Sequence, residues 1–215
     1  MKISSFARNR AVVASMLAAV LTLPIHSTQA NDNHNKPQRW VLPGNAVFPE
    51  GIAVDEDSGA FFVGSTTDGT IFTGNANSTN DASVFLAGGS DGRTDVRGMK
   101  VAKNGRLYVS GGALGKIFVY DIASKALLAS FATGLTPSFV NDVTIAPNGD
   151  AYFTDSQSPA IYRLSADLTS FTRFTDFAGS TVVYGPGFNL NGIAATSDGA
   201  YVITVQSNTG NKTAS

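Results

Sequence analysis

The side chain with the clearest chemical potential in this sequence is a glutamate in an apolar stretch. Glu50 is one of only two glutamates among the 16 acidic residues, and it lies between Val47-Phe48-Pro49 and Gly51-Ile52-Ala53-Val54. A carboxylate in such surroundings needs a cationic partner, hydrogen-bond donors or a metal ion to offset the cost of its burial. Glu50 is therefore a candidate metal ligand, and the alternative is an ordinary residue at the start of a strand.

Several chemistries lack the residues they need. The chain has no cysteine, and its two histidines, His26 and His34, both precede the segment that we expect to fold. A Ser-His-Asp triad, a cysteine nucleophile and a haem axial histidine are therefore excluded or nearly so. Copper, zinc and superoxide dismutase sites need imidazole or thiolate, so any metal here should be a hard cation held by oxygen atoms.

A unit of two apolar runs separated by a glycine turn occurs four times. The turn glycines are Gly59, Gly105, Gly149 and Gly199, spaced 46, 44 and 50 residues apart. Asn-Gly or Asp-Gly between apolar runs is a strong hairpin signal, because the turn requires positive φ angles. The pattern predicts an innermost hairpin in each unit.

Further apolar runs predict two more strands in each of the first three units. Third strands are predicted at Thr70–Phe72, Lys116–Tyr120 and Ala160–Leu164, and fourth strands at Ser83–Leu86, Ala126–Phe131 and Phe171–Phe174. Four short antiparallel strands every 40 to 50 residues are typical of a β-propeller blade. The sequence thus predicts an all-β fold, a β-propeller of four-stranded antiparallel blades, and a β-sandwich is the alternative.

The fourth unit does not continue as the others do. After Gly210, where an apolar third strand is expected, the sequence reads Asn211-Lys212-Thr213-Ala214-Ser215. We therefore expect an incomplete propeller of about 3.5 blades, truncated relative to its natural architecture.

The beginning of the chain has the layout of a secretory signal peptide. Basic residues among the first ten are followed by the uncharged apolar run 11–23 and by Thr28-Gln29-Ala30, a plausible cleavage site. We assign residues 1–30 to the signal peptide, 31–40 to a flexible lead-in and 41–215 to the partial propeller, which predicts a periplasmic or secreted protein with no membrane attachment after cleavage. Cleavage leaves 12 basic and 16 acidic residues, a net charge of −4 that opposes nucleic acid binding.

The motifs PEGIAVD, GSTTDGTIF, VNDVTIAPNGDAYFTDS and FNLNGIAATSDGAYVITVQSNTG resemble those of the senescence-marker-protein/gluconolactonase family. The wider group includes regucalcin-like and paraoxonase-like calcium-dependent lactonases with six blades. The resemblance covers residues 40–210, and its PEG, VND and LNG motifs start successive innermost strands. It implies a six-bladed propeller with a divalent cation, usually Ca²⁺, on the axis.

The resemblance also implies roles for particular residues. Glu50 corresponds to a carboxylate ligand, Asn191 to an amide ligand, and Asn141 to a ligand or a substrate-orienting group. Asp142 is a weaker candidate, as a base that would assist water. Arg97 could face a substrate carboxylate, with a surface role as the alternative, and both asparagines could instead cap turns.

Two departures from the family pattern bear on function. The family's further aspartate ligand belongs to a fifth blade, and Phe139 and Val140 stand where sugar-lactonase members carry a basic residue. The first departure leaves the cation with an incomplete shell, and the second argues against a sugar-acid substrate.

The leading hypothesis is a secreted Ca²⁺-dependent lactonase-like or esterase-like hydrolase that acts on a small-molecule lactone or ester. The alternative is a non-catalytic ligand- or protein-binding propeller in which the axial metal holds the blades together. A third hypothesis is that this chain is an inactive fragment. The sequence implies no obligate protein partner.

Overall fold

The repeated glycine turn folds as a tight β-turn each time it occurs. The four glycines named above have φ angles between 71° and 87°, a region that residues with a Cβ rarely adopt. A computed structural model of the chain describes residues 38–177 and 179–208. Within those residues each glycine turn joins the two innermost strands of a sheet.

The described residues form fourteen strands in four antiparallel sheets. Blade 1 contains β1 (Pro49–Val54), β2 (Ala60–Ser65), β3 (Ile71–Asn75) and β4 (Ser83–Leu86). Blade 2 contains β5 (Met99–Ala102), β6 (Arg106–Ser110), β7 (Lys116–Asp121) and β8 (Leu127–Ala132). Blade 3 contains β9 (Val140–Ile145), β10 (Ala151–Asp155), β11 (Ala160–Leu164) and β12 (Phe171–Asp176). Blade 4 contains β13 (Leu190–Ala195) and β14 (Val202–Gln206).

The strands of every sheet follow one another in chain order, and each pairs only with its sequence neighbours. The innermost strands β1, β5, β9 and β13 lie side by side. This arrangement confirms the predicted all-β propeller with three and a half blades, and the sandwich alternative is wrong. The predicted third and fourth strands agree with the structure to within a residue at their starts.

The hydrophobic core lies between blades rather than inside one layer. Each interface pairs apolar side chains from the facing sides of two consecutive sheets. Phe62 of blade 1 packs with Met99 of blade 2, and Tyr108 of blade 2 packs with Val143 of blade 3. Each blade therefore depends on its neighbours to bury its apolar faces.

A buried arginine reinforces the interface between blades 1 and 2. Arg93 has no solvent exposure, and its Nε and Nη2 donate to the carbonyl oxygens of Gly69 and Ala87 at 2.8 and 3.0 Å. Its Nη1 donates to the Tyr120 hydroxyl, and its guanidinium carbon lies 5.1 Å from the centre of that ring. Burial raises the pKa of Tyr120 to about 12, so this hydroxyl stays neutral as it accepts the arginine bond.

The predicted boundary between the lead-in and the propeller at residue 40 stays a prediction, and the structure shows contacts of Trp40 with blade 1. Trp40 donates from its indole nitrogen to the Ser78 carbonyl oxygen at 2.9 Å, and its ring lies 5.3 Å from that of Phe61. The polar sequence of residues 31–40 gave no sign of this contact, because Phe61 is distant from Trp40 in the sequence. Trp40 thus belongs to the packed domain.

Some predictions fall outside the described residues. The signal peptide at 1–30, residues 31–37 of the lead-in and the polar end of the fourth unit at 211–215 are among them. In the described part of the chain, no helix has the length and apolar character needed to cross a membrane.

A fully buried aspartate at the end of β10 organises the connection from blade 2 to blade 3 and the turn between β10 and β11. Oδ1 of Asp155 accepts bonds from three backbone N–H groups, those of Phe139, Gln157 and Ser158, each at 2.9 Å. Oδ2 accepts from the hydroxyls of Ser138 and Tyr162 at 2.5 and 3.0 Å. Five donors therefore satisfy this carboxylate, which gives Asp155 a structural role.

We predict that Asp155→Ala lowers the free energy of unfolding by about 3 kcal/mol or more, because it leaves several donors unpaired in the interior. Asp167→Ala, which removes an exposed carboxylate that bonds Ser165 and Thr169, is the control and should cost much less. Urea unfolding monitored by circular dichroism measures both values. Equal losses for the two variants would contradict the structural role of Asp155.

Candidate functional site

The starts of the four innermost strands place the sequence-predicted residues at equivalent positions. Pairing aligns Pro49 with Ser65, Val140 with Asp155 and Leu190 with Gln206. The residues that follow Pro49, Val140 and Leu190 are Glu50, Asn141 and Asn191, respectively. In blade 2 the equivalent residue is Arg97. The structure therefore brings all four to the same end of neighbouring strands, in the order Glu50, Arg97, Asn141 and Asn191.

A β-bulge occurs at this position in three of the four inner strands. Glu50 and Gly51 together lie opposite one residue of β2, because pairing resumes between Ile52 and Val63. The pairs Asn141–Asp142 and Asn191–Gly192 are bulged in the same way. Bulges redirect side chains and occur often beside active sites. Sequence reasoning missed this feature, although a polar residue followed by Gly or Asp in every unit was a usable signal.

Neighbouring inner strands approach very closely at the bulges. A Cβ at Gly51 would lie 2.0 Å from the Arg97 carbonyl oxygen, and one at Gly98 would lie 2.1 Å from Oδ1 of Asp142. The Gly98 amide donates to the Asn141 carbonyl oxygen at 2.7 Å. A side chain at either glycine would force the strands apart, so the approach itself requires glycine at both positions.

Glu50 lies in a field of charged neighbours. Solvent reaches its side chain, yet the surrounding protein removes part of its hydration, and this desolvation raises the pKa of Glu50 above its ordinary value of 4.5. The positive charge of Arg97 lowers the pKa of Glu50, whereas the carboxylates of Asp142 and Asp95 raise it. These groups couple electrically, which links residues of blades 1, 2 and 3.

Arg97 is held by two contacts of its own. Its Nε lies 2.9 Å from Oδ1 of Asp95, and its Nη2 lies 3.2 Å from Oδ2. The guanidinium carbon also lies 5.0 Å from the centre of the Phe139 ring. Asp95 therefore balances much of the arginine charge locally. The prediction that Arg97 faces a substrate carboxylate stays a prediction, and the Asp95 pairing was missed at the sequence level.

The two asparagines differ in burial. Asn141 is buried and donates from Nδ2 to Oγ of Ser156 at 2.7 Å, which leaves Oδ1 as the atom that can accept a bond or bind a cation. Asn191 is exposed, and its Nδ2 donates to Oγ of Ser207 at 3.3 Å. Each side chain thus bonds to the residue that directly follows the second strand of its own blade. Their roles as ligands stay predictions.

Asp142 connects blade 3 to blade 4. Its Oδ2 accepts a bond from the Ile193 amide at 3.1 Å, and its own amide donates to Oγ1 of Thr154 at 3.2 Å. Desolvation raises the pKa of Asp142 above its ordinary value. Hydrogen bonds from the Val143 and Ile193 amides and the positive charge of Lys100 lower this pKa, but by less than desolvation raises it. The catalytic role stays a prediction, and the geometry adds a structural role that the sequence did not indicate.

The available donors match a hard cation in kind but fall short in number. Glu50 offers a carboxylate, and Asn141 and Asn191 offer amide oxygens, whereas Ca²⁺ usually takes six to eight oxygen ligands. Among residues 38–177 and 179–208, no group of three or more His, Cys, Asp or Glu is placed to hold a metal ion. The described chain can therefore supply part of a cation shell.

Comparison with solved structures identifies related folds. A streptogramin B lyase matches with a TM-score of 0.62 and 19% sequence identity, over 77% of this chain and 50% of that protein. A catalytically inactive histidine-to-alanine variant of virginiamycin B lyase from Staphylococcus aureus, with quinupristin, matches with a TM-score of 0.61 and 18% identity, over 77% and 51%. These neighbours are β-propellers, and at this identity they establish the fold.

This chain spans about half the length of those propellers. No protein-family model matches the sequence, and no curated protein matches it.

We predict that the Glu50 carboxylate makes the stability of the metal-free protein fall as the pH rises. Folding raises the pKa of Glu50 above 4.5, so the folded state binds its proton more tightly than the unfolded chain does. The corresponding contribution to the free energy of unfolding is complete below that pH and is lost above it.

Glu50→Gln removes this contribution, so the stability of the wild type relative to the variant should decrease as the pH rises through the raised pKa of Glu50. Urea unfolding in chelator-treated buffer measures the difference, and Glu56→Gln, which changes the only other glutamate, is the matched control. A wild type that gains stability relative to Glu50→Gln as the pH rises would contradict this electrostatic environment.

Proposed function

We propose that this chain is part of a secreted propeller hydrolase that depends on Ca²⁺ and acts on a small-molecule lactone or ester. The observation that carries the proposal is the alignment of Glu50, Asn141 and Asn191 at equivalent bulges of three inner strands, with Arg97 at the corresponding position just before β5. The motif resemblance to the senescence-marker-protein/gluconolactonase family supports the same chemistry. A periplasmic or extracellular location is part of the proposal, since the first thirty residues have the layout of a signal peptide.

Each residue takes a role consistent with its contacts. Glu50 and the Oδ1 atoms of Asn141 and Asn191 would hold the cation. A bound hard cation polarises a carbonyl group and stabilises negative charge on its oxygen. Arg97, already balanced by Asp95, would orient a polar group of the substrate.

Asp142 would accept a proton from the attacking water. Its Oδ2 is committed to the Ile193 amide, so Oδ1 is the oxygen for this task. Its raised pKa shifts the carboxyl toward the range in which a general base works at neutral pH. No histidine follows residue 34 in this sequence, so the proton must go to a carboxylate or to solvent.

Two observations favour a non-catalytic binding propeller as the second candidate. Asp142 already bonds the next blade, and Arg97 already has a carboxylate partner. In that case the axial cation would stabilise the ring of inner strands and leave no reactive group at the site. We do not extend the lyase activity of the structural neighbours to this chain, since its described residues contain no histidine and the inactive neighbour is a histidine variant.

We predict that the full chain binds Ca²⁺ and that Glu50→Gln weakens this binding at least tenfold, because it removes the only carboxylate among the proposed ligands. Isothermal titration with Ca²⁺ measures the affinity, and hydrolysis of a panel of small lactones and aryl esters measures the activity. Glu56→Gln is the control and should leave both unchanged.

The outcomes separate the two functions. Calcium-dependent hydrolysis that disappears in Glu50→Gln supports the enzyme. Calcium binding without any hydrolysis supports the binding propeller, and hydrolysis that survives Glu50→Gln contradicts the proposed site. A wild type that binds no Ca²⁺ contradicts both.

A further inference from the structure

Arg97 and Glu50 carry opposite charges at equivalent positions of neighbouring blades, yet the ion pair of Arg97 is with Asp95. The two backbones touch here, since a Cβ at Gly51 would lie 2.0 Å from the Arg97 carbonyl oxygen. The glutamate and arginine side chains therefore start close together, and the positive charge of Arg97 acts on Glu50. Because opposite charges attract each other at such separations, other contacts must hold the arginine where it is.

Asp95 provides the first of these contacts. Its Oδ1 lies 2.9 Å from Nε of Arg97, and its Oδ2 accepts a hydrogen bond from Nη2 at 3.2 Å. The Asp95 and Arg97 side chains are only 13% and 24% exposed, so water screens this pair less than it screens a surface pair. Two parallel contacts between a carboxylate and a guanidinium also fix the orientation of the planar group.

The loop that follows β6 leaves room for the Asp95 carboxylate. Gly112 has a φ angle of 53°, and a Cβ on it would lie 2.1 Å from Oδ2 of Asp95. The Ala113 amide donates to the same oxygen at 3.4 Å. The Gly112 amide and carbonyl both bond to the backbone of Val140 at 3.0 Å, which ties this loop to blade 3. A side chain at position 112 would therefore displace the carboxylate.

An aromatic ring provides the second contact of the guanidinium. The guanidinium carbon of Arg97 lies 5.0 Å from the centre of the Phe139 ring, an arrangement that attracts a cation. Phe139 is buried, and its ring packs edge-on against that of Phe188 at 4.6 Å. Arg97 thus has an anionic partner just before β5 and an aromatic partner just before β9. Neither partner belongs to blade 1, which carries Glu50.

An acidic residue stands at the position of Asp95 only in the unit that carries the arginine. The residues two positions before the four site residues are Phe48, Asp95, Phe139 and Asn189. The propeller fold therefore does not itself require a carboxylate at this position. The carboxylate accompanies the positive charge of Arg97.

We infer that Asp95 is a positioning residue that holds Arg97 away from the Glu50 carboxylate. A guanidinium and a metal ion compete for the same carboxylate oxygens, so an arginine paired with Glu50 would block the proposed cation site. Asp95 leaves Glu50 available by keeping Arg97 against Phe139. The part of this inference that concerns the cation rests on the proposed function.

The first test is Ca²⁺ binding by the full chain, measured by isothermal titration. Asp95→Asn keeps the shape of the side chain but removes its charge, and it should weaken Ca²⁺ binding at least tenfold. The double variant Asp95→Asn/Arg97→Gln should bind within about threefold of the wild type, because no guanidinium then competes for Glu50. Asp176→Asn removes the same charge from the exposed pair with Arg173 in blade 3, and as the control it should bind like the wild type.

The second test locates the arginine without any metal, since a change of charge alone would also alter Ca²⁺ binding. A crystal structure of Asp95→Asn grown with a chelator should show a guanidinium nitrogen of Arg97 within 4 Å of a Glu50 carboxylate oxygen. Gly112→Ala is a second variant that should release the arginine in the same way, because its Cβ displaces Oδ2 of Asp95. It keeps Asp95 itself and is used if Asp95→Asn does not fold.

The outcomes separate this inference from the proposed function. An arginine that stays against Phe139 in the variant would overturn the inference. A double variant that binds Ca²⁺ no better than Asp95→Asn would overturn it as well. A wild type that binds no Ca²⁺ contradicts the proposed function, and the metal-free structure of the variant then still decides whether Asp95 positions Arg97.

Discussion

The close approach of the inner strands at their bulges is the constraint on which the rest of this structure depends. At Gly51 and Gly98 a neighbouring backbone or carboxylate occupies the space where a Cβ would be. The strands can pack this tightly only because these positions carry no side chain. The adjacent residues, Glu50 and Arg97, are consequently brought into electrostatic contact across two blades. The residue that follows the site residue is glycine in blades 1, 2 and 4, whereas blade 3 has Asp142 there. The Asp142 carboxylate accepts a hydrogen bond from the Ile193 amide of the next inner strand.

The sequence predicts the repeated part of the fold well because that part is local. Hairpin turns require glycine at fixed positions, and alternating apolar residues specify strands whose starts agree closely with the structure. The alignment of Glu50, Asn141 and Asn191 also follows from the repeat alone. Periodicity is enough to identify these features since each unit encodes the same strand and turn pattern.

The remaining features depend on contacts between residues that are distant in sequence. Arg97 pairs with Asp95, which is close in sequence, but it also packs against the ring of Phe139, which is distant in sequence. The hydrogen bond from the Ile193 amide to Asp142 joins residues fifty-one positions apart. Trp40 packs against Phe61 of β2, which is also distant in sequence. A bulge depends on strand register, which composition does not specify. For these reasons the architecture could be predicted, whereas the bonds that position each site residue could not.

A crystal structure of the protein soaked with Tb³⁺ as a Ca²⁺ substitute tests most directly whether the bulge positions of the inner strands form a cation site. We predict an anomalous difference peak with metal–oxygen distances of about 2.3 to 2.6 Å to the Glu50 carboxylate and to Oδ1 of Asn141. An ordered Glu50 carboxylate bonded to Arg97, with no anomalous peak near it, would contradict the account.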